Sequence, residues 1–245
     1  YINSTDGLYN YYFGAVDFLN FSINYMQNTG TDIQTFYNQF MTPPEGYDGE
    51  YDANFWDDPN LIFQQQTLPS LANFQNSYPG HSDPLYNTPE RLYNAIGGQL
   101  NAIYQANPAL NSNTCAARLS KALNYSGITI PNISGKTFKG NDDKYYFMGA
   151  ANMISWMKKT FGTPSGTNHI THADAGANSI NVPNLIRNKT GIYGLVPIDP
   201  SALTGFSATG HIDLINHGAC NGGCYVIQKE EELKIYLYGN YNEDI

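Results

Sequence analysis

NSNTCAARLSKALNYSG, residues 111–127, opens what reads as a short amphipathic helix with a cysteine at its head. Ala116, Leu119 and Leu123 recur on one face at helical spacing, Ser112 or Asn113 is placed to cap the start, and Gly127 supplies a stop. Cys115 therefore stands at a helix N-terminus, where unpaired N–H groups and the positive end of the helix dipole favour a thiolate. A cysteine so placed is either a small buried core residue or a nucleophile, and the helix by itself leaves both readings open.

Helical texture surrounds this segment. TPERLYNAIGGQLNAIYQ (88–105) reads as a capped helix interrupted at Gly97–Gly98, and residues 150–161 set Ala150, Ile154, Met157 and Phe161 on one face before Gly162 and Pro164 close them. Beyond residue 190 the period changes to two. GIYGLVPI (191–198), GHIDLI (210–215), CYVIQ (224–228) and LKIYLYG (233–239) read as strands, and in the last of them Leu233, Ile235 and Leu237 alternate with Lys234, Tyr236 and Tyr238. Helices first and an antiparallel sheet after make residues 91–245 an α+β domain.

Upstream lies an aromatic, Asn-rich N-terminal extension, residues 1–90. It carries two helical patterns: Val16, Leu19, Ile23 and Met26, then Ile33, Phe36, Tyr37 and Phe40 behind a Thr31–Asp32 cap. Pro43–Pro44 ends the second. Residues 42–90 have no sustained period and read as a long ordered wrap. YDGEYDANFWDD (47–58) lacks the ligand spacing of a calcium loop and reads as a solvated acidic loop. Aromatic residues such as Phe36, Phe40, Phe55 and Trp56 are expected to bury against the rest of the chain or a second copy of it, giving a route to self-association.

Composition narrows the function classes. The chain has 245 residues, 41% hydrophobic, with net charge -9 and a pI near 4.8. Only 12 Lys and Arg are spread along it without a basic stripe, which excludes nucleic acid as a partner. No apolar run approaches the roughly 18 residues of a membrane span. A surface resting on Asn, Ser, Thr and Gly, and a start at Tyr1 rather than Met, suit an extracellular protein whose signal peptide has been removed. Sequons at Asn3, Asn20, Asn124, Asn132 and Asn188 agree with a secretory route. In an oxidising compartment Cys220 and Cys224, in CNGGC, are expected to pair across their Gly-rich loop and leave Cys115 reduced.

A thiol nucleophile needs a base. Of the 5 histidines, His211 has the most informative setting: Gly210 precedes it, and His211 and Asp213 share one face of a strand whose other face carries Ile212 and Leu214. His211, His217, Cys220 and Cys224 also supply zinc-type ligands, but the spacing is irregular and a disulfide uses the sulfurs. His169 and His172, in NHITHAD, read as exposed residues of a mobile loop. No metal or other cofactor is expected.

IGGQLNAIYQANPALNSNTCAARLSKALNYSGITIP, ISWMKKTFGTP and ATGHIDLINHGACNGGCYV, in that order, resemble the main motifs of the type VI secretion amidase effectors of family 4, over residues about 74–245. The resemblance implies a papain-like, NlpC-type cysteine peptidase fold and an antibacterial amidase acting on peptidoglycan stem peptides at the bond between γ-D-glutamate and meso-diaminopimelate. It also implies a cognate inhibitor protein. Cys115 matches the nucleophile, His211 the general base, and Cys220 with Cys224 the family's disulfide loop. The family's third catalytic residue, an Asp in that loop, is replaced here by Gly222. Asp213 is the best substitute to orient the imidazole, followed by Asn216 and Asn221. The departure, the acidic charge and the extension support an alternative: a non-catalytic descendant serving as an extracellular structural or self-assembling protein.

Overall fold

Thr88 accepts a hydrogen bond from Arg91 N at 3.2 Å and Pro89 fixes the first turn, so the helix read from residue 88 begins where its capping chemistry requires. The computed structural model describes residues 19–20, 22–40, 50–176, 179–197, 208–225 and 233–239. Val16, and strand residues 226–228, lie outside them, as does the side chain of Phe40. In chain order the helices before the first strand are α1 (22–29), α2 (Ile33–Phe40), α3 (Ala53–Asp57), α4 (Leu71–Ser77), α5 (Pro89–Ile96), α6 (Gly98–Ala106) and α7 (Cys115–Tyr125). Then follow β1 (Thr137–Lys139), β2 (Tyr145–Phe147), α8 (Ala150–Phe161), β3 (His169–Ile170), α9 (His172–Ala175), α10 (Val182–Ile186), β4 (Gly191–Pro197), β5 (His211–Asn216), β6 (Ala219–Cys220) and β7 (Leu233–Tyr238).

The main sheet has the order β3-β7-β4-β5-β6, and every pairing is antiparallel. Both faces of the sheet are covered. Ile192, Val196, Ile212, Leu214, Tyr236 and Tyr238 pack with residues of α7 and α8. Tyr193, Leu195, Ile215, Ile235 and Leu237 pack on the opposite side with Phe36, Ala175, Val182 and Ile186. Tyr236 and Tyr238, which alternate with Ile235 and Leu237 along β7, are 6% and 4% exposed. The start of CYVIQ is corrected, since Cys224 and Tyr225 are not in a strand and it is Ala219–Cys220, earlier in the chain, that pairs with the edge of β5 away from β4. The hairpin β1–β2 and helices α9 and α10 have no counterpart in the sequence reading. His169 is no mobile-loop residue. It pairs across to Tyr236 in β7 and stacks on that ring at 4.8 Å.

From residue 50 onward the wrap is ordered, as read. Asp52 and Ser70 cap α3 and α4, and Trp56 and Phe74 enter the same core as Leu119, Leu123, Ile154 and Trp156. Trp56 Nε1 donates to Asn152 Oδ1 at 2.8 Å, while Gln66 exchanges two hydrogen bonds with the Thr129 backbone. Of the aromatic residues expected to bury, Phe36 and Trp56 do so and Phe55 is half-buried. Asp32 caps α2 through Thr35 N at 2.9 Å. The apolar positions Leu19, Ile23, Ile33 and Tyr37 are exposed nonetheless.

Candidate active site

Helix α7 packs against β5, and this brings the helix start to the strand start. A Cβ at residue 210 would lie 2.5 Å from Leu195 O, so the close approach that sets up β5 needs glycine there. Cys115, His211 and Asp213 are buried. With Tyr78, His81, Gly222 and Tyr225 they line one cavity of about 10 Å³. The sequence-predicted trio is thus brought together, and it is joined by two residues from the wrap.

The helix start differs in detail from the reading. The cap position is Thr114, which makes no side-chain cap bond, while Asn113 Oδ1 accepts from Cys115 N at 3.2 Å. Ala116, Leu119 and Leu123 are fully buried, and so are Ala117, Ser120 and nearly all of Arg118, so α7 is buried on more than one face.

Asp213 is satisfied by donors other than the imidazole. Its Oδ1 accepts from Tyr78 OH and from Leu214 N at 2.7 Å; its Oδ2 accepts from Gly222 N at 2.6 Å. His211 Nε2, which has no hydrogen-bond partner, lies 3.9 Å from Asp213 Oδ2. The ring packs edge-on against Tyr225 at 4.5 Å. Burial pushes the Asp213 carboxyl up to about 6, against the pull of hydrogen bonds from Gly222, Tyr78 and Leu214. Burial drives His211 down to about 3, with the neighbouring His81 adding to the effect and a hydrogen bond to the Gly223 backbone opposing it. His81 itself falls to about 4 through burial and the Arg118 charge. Both rings are neutral at pH 7.

Gly222 stands where the resemblance places an acid, and the space beside it is taken. A Cβ there would lie 2.6 Å from His81 Nε2. Asn216 and Asn221 are exposed and do not line the cavity; Asn216 Oδ1 faces His217 Nδ1 at 2.9 Å. Cys220 and Cys224 form a disulfide and Cys115 takes no part in one. The disulfide leaves the zinc arrangement without thiolates, and His217 is exposed while His211 is buried. Among the sequons, Asn20, Asn132 and Asn188 are exposed and Asn3 lies outside the described residues. Asn124 is a correction: it is 6% exposed and its Nδ2 donates to Tyr145 O at 2.8 Å, so the folded chain offers no acceptor amide there.

Tyr78, His81 and Arg118 escaped the sequence reading. YPGH sits in a segment without period, where nothing one-dimensional relates it to His211. Among the described residues no helix is long and apolar enough to cross a membrane.

Residues 111–238 match the family model described as type VI secretion system (T6SS), amidase effector protein 4, which is more than half of the chain. Comparison with curated proteins gives no match. Among solved structures, the Tae4–Tai4 effector–immunity complex from Salmonella Typhimurium contains a chain with 21% identity and a TM-score of 0.52, covering 70% of this chain and 98% of that one. Tae4 from Enterobacter cloacae gives 21% identity and a TM-score of 0.53, over 72% of this chain and 99% of that one. At that identity the likeness concerns the fold: a mixed α/β architecture with an antiparallel sheet.

Proposed function

From the chain's membership of the type VI secretion amidase effector 4 family, we propose that it is a papain-like, NlpC-type cysteine amidase hydrolysing peptidoglycan stem peptides at the γ-D-glutamyl–meso-diaminopimelate bond. One observation carries the reading beyond the family: a helix-start cysteine, a strand-start histidine and a carboxylate line a single cavity. In this mechanism His211 takes the proton of the Cys115 thiol, and the thiolate attacks the amide carbonyl. Backbone N–H groups at the start of α7 stabilise the oxyanion. His211 returns the proton to the departing amine, and water, deprotonated by the same ring, releases the acyl-enzyme. Asp213 acts by holding the imidazolium, for which its carboxylate must turn toward Nε2 from its present bonds.

The protein would work outside the cytoplasm, on the wall of a target cell. Because the Salmonella structure is an effector–immunity complex, an inhibitor protein is proposed for this chain as well. Purified sacculi digested with the protein should release new amine termini, and Cys115→Ala should abolish the release. If neither wild type nor a variant truncated at the side chains that close the cavity releases more than Cys115→Ala, the amidase reading falls. The non-catalytic, self-assembling reading is supported by the apolar positions left exposed at Leu19, at Ile23 on α1 and at Ile33 and Tyr37 on α2, and such a digest would leave it standing.

A further inference from the structure

Cys115 and His211 are 5% and 6% exposed, and the cavity of about 10 Å³ between them has room for at most one water. Acyl transfer requires a carbonyl carbon within about 3.5 Å of the sulfur and donors about 3 Å from its oxygen. No peptide reaches that position through so small a space. The atoms that close it come from the wrap, upstream of the family-matched residues 111–238. Tyr78 donates its hydroxyl to Asp213 Oδ1, and the His81 ring fills the space against Gly222.

This segment is fastened to the helix that carries Cys115. Arg118, 1% exposed, donates Nη1 to Pro79 O and Nη2 to Tyr86 O, both at 2.6 Å, and Nε to Thr114 Oγ1 at 3.0 Å. Both ends of the turn are thereby tied to one buried guanidinium. Inside it Asp83 N bonds Gly80 O and Tyr86 N bonds Asp83 O. Its outer residues are solvent-facing, with Leu85 66% exposed.

We propose that residues 78–86 are an inhibitory strap, held by Arg118, that excludes substrate from Cys115 and must leave the cavity before the site can work. Three effects of the bound strap act in the same direction. It fills the volume, it occupies the Asp213 oxygen through Tyr78, and it sets a second imidazole where charge on His211 is opposed. Withdrawal frees the carboxylate to turn toward His211 Nε2, 3.9 Å away. The consequence for turnover rests on the amidase reading above; the strap itself does not.

Of the 3 cysteines, Cys220 and Cys224 are joined and only Cys115 stays outside a disulfide, so iodoacetamide labelling of the intact, unreduced chain reports its accessibility alone. His81→Ala and Arg118→Lys, each checked for native circular dichroism, should label at least about ten times faster than wild type; if one fails to fold, the other decides. Labelling of wild type at the rate of an open thiol, or folded variants that label no faster, overturns the strap. Parallel sacculus digestion separates the two ideas. Faster labelling with faster digestion supports both, whereas faster labelling with no digestion keeps the strap and removes the amidase.

Discussion

At position 222 an absent side chain and a present one exclude each other. An acid restored there meets the His81 ring, because the added Cβ would lie 2.6 Å from Nε2. The acid that the resemblance implies at 222 does not fit while His81 fills that space. Gly222→Asp should therefore lower stability by about 1–3 kcal/mol, the usual range for overpacking. Most of that loss should vanish in the His81→Ala background, since the two side chains contest one space. Urea unfolding of the four proteins in this cycle measures the coupling, and an additive cycle would refute the contest. Arg118 shows the same economy at residue scale: a buried cation with no carboxylate needed, because two carbonyls and a hydroxyl take its fork.

At the scale of elements, α7 and β5 carry the candidate site, and both were legible. The first announced itself by Ala116, Leu119 and Leu123 at helical spacing, the second by the alternation of His211 and Asp213 with Ile212 and Leu214. Alternation told which residues share a face; it did not tell that both faces would be covered, because a tyrosine such as Tyr236 or Tyr238 suits a buried or a solvated face alike, and here both pack in the core that α8 enters. The two-residue strands β3 and β6 were invisible for a different reason, being too short to show any period. The wrap was harder still. Its value lies in contacts such as Trp56 with Asn152 and Tyr78 with Asp213, which depend on three-dimensional proximity rather than local spacing. Trp56→Ala should therefore cost about 3–5 kcal/mol, as for a large core aromatic, and should unfold α8 and β5 together with α3 in a single transition. Separate melting of the wrap, seen by hydrogen exchange, would contradict this.

For the whole molecule, the cavity makes stability depend on pH in a way the net charge does not reveal. His81 titrates near 6.5 when unfolded and about 4 when folded, and His211 falls to about 3. Between the paired values the unfolded chain holds more protons, so each histidine makes stability rise with pH. Asp213 shifts the other way, from 3.8 up to about 6, so it makes stability fall with pH over that interval. From about pH 4 to 6 the two histidines outweigh the carboxyl by one proton, or about 1.4 kcal/mol per pH unit. His81→Ala removes that surplus. Its stability–pH slope should be shallower than that of wild type by about this amount between pH 4 and 6, and equal to it above about 7. Denaturant melts across the range test this, and parallel slopes throughout would refute it.

The place of β7 in the sheet has a temporal meaning. It comes last among the described strands but lies inside the sheet, between β3 and β4. A ribosome delivers the chain from its other end, so Trp56 and Phe74 emerge long before the surface that receives them exists. A sheet that awaits its inner strand cannot close early, and ordering dominated by such distant partners is slow. The growing chain therefore remains open until β7 has been made, and the cavity, the disulfide loop and the strap are completed together once that strand arrives rather than in sequence along the chain.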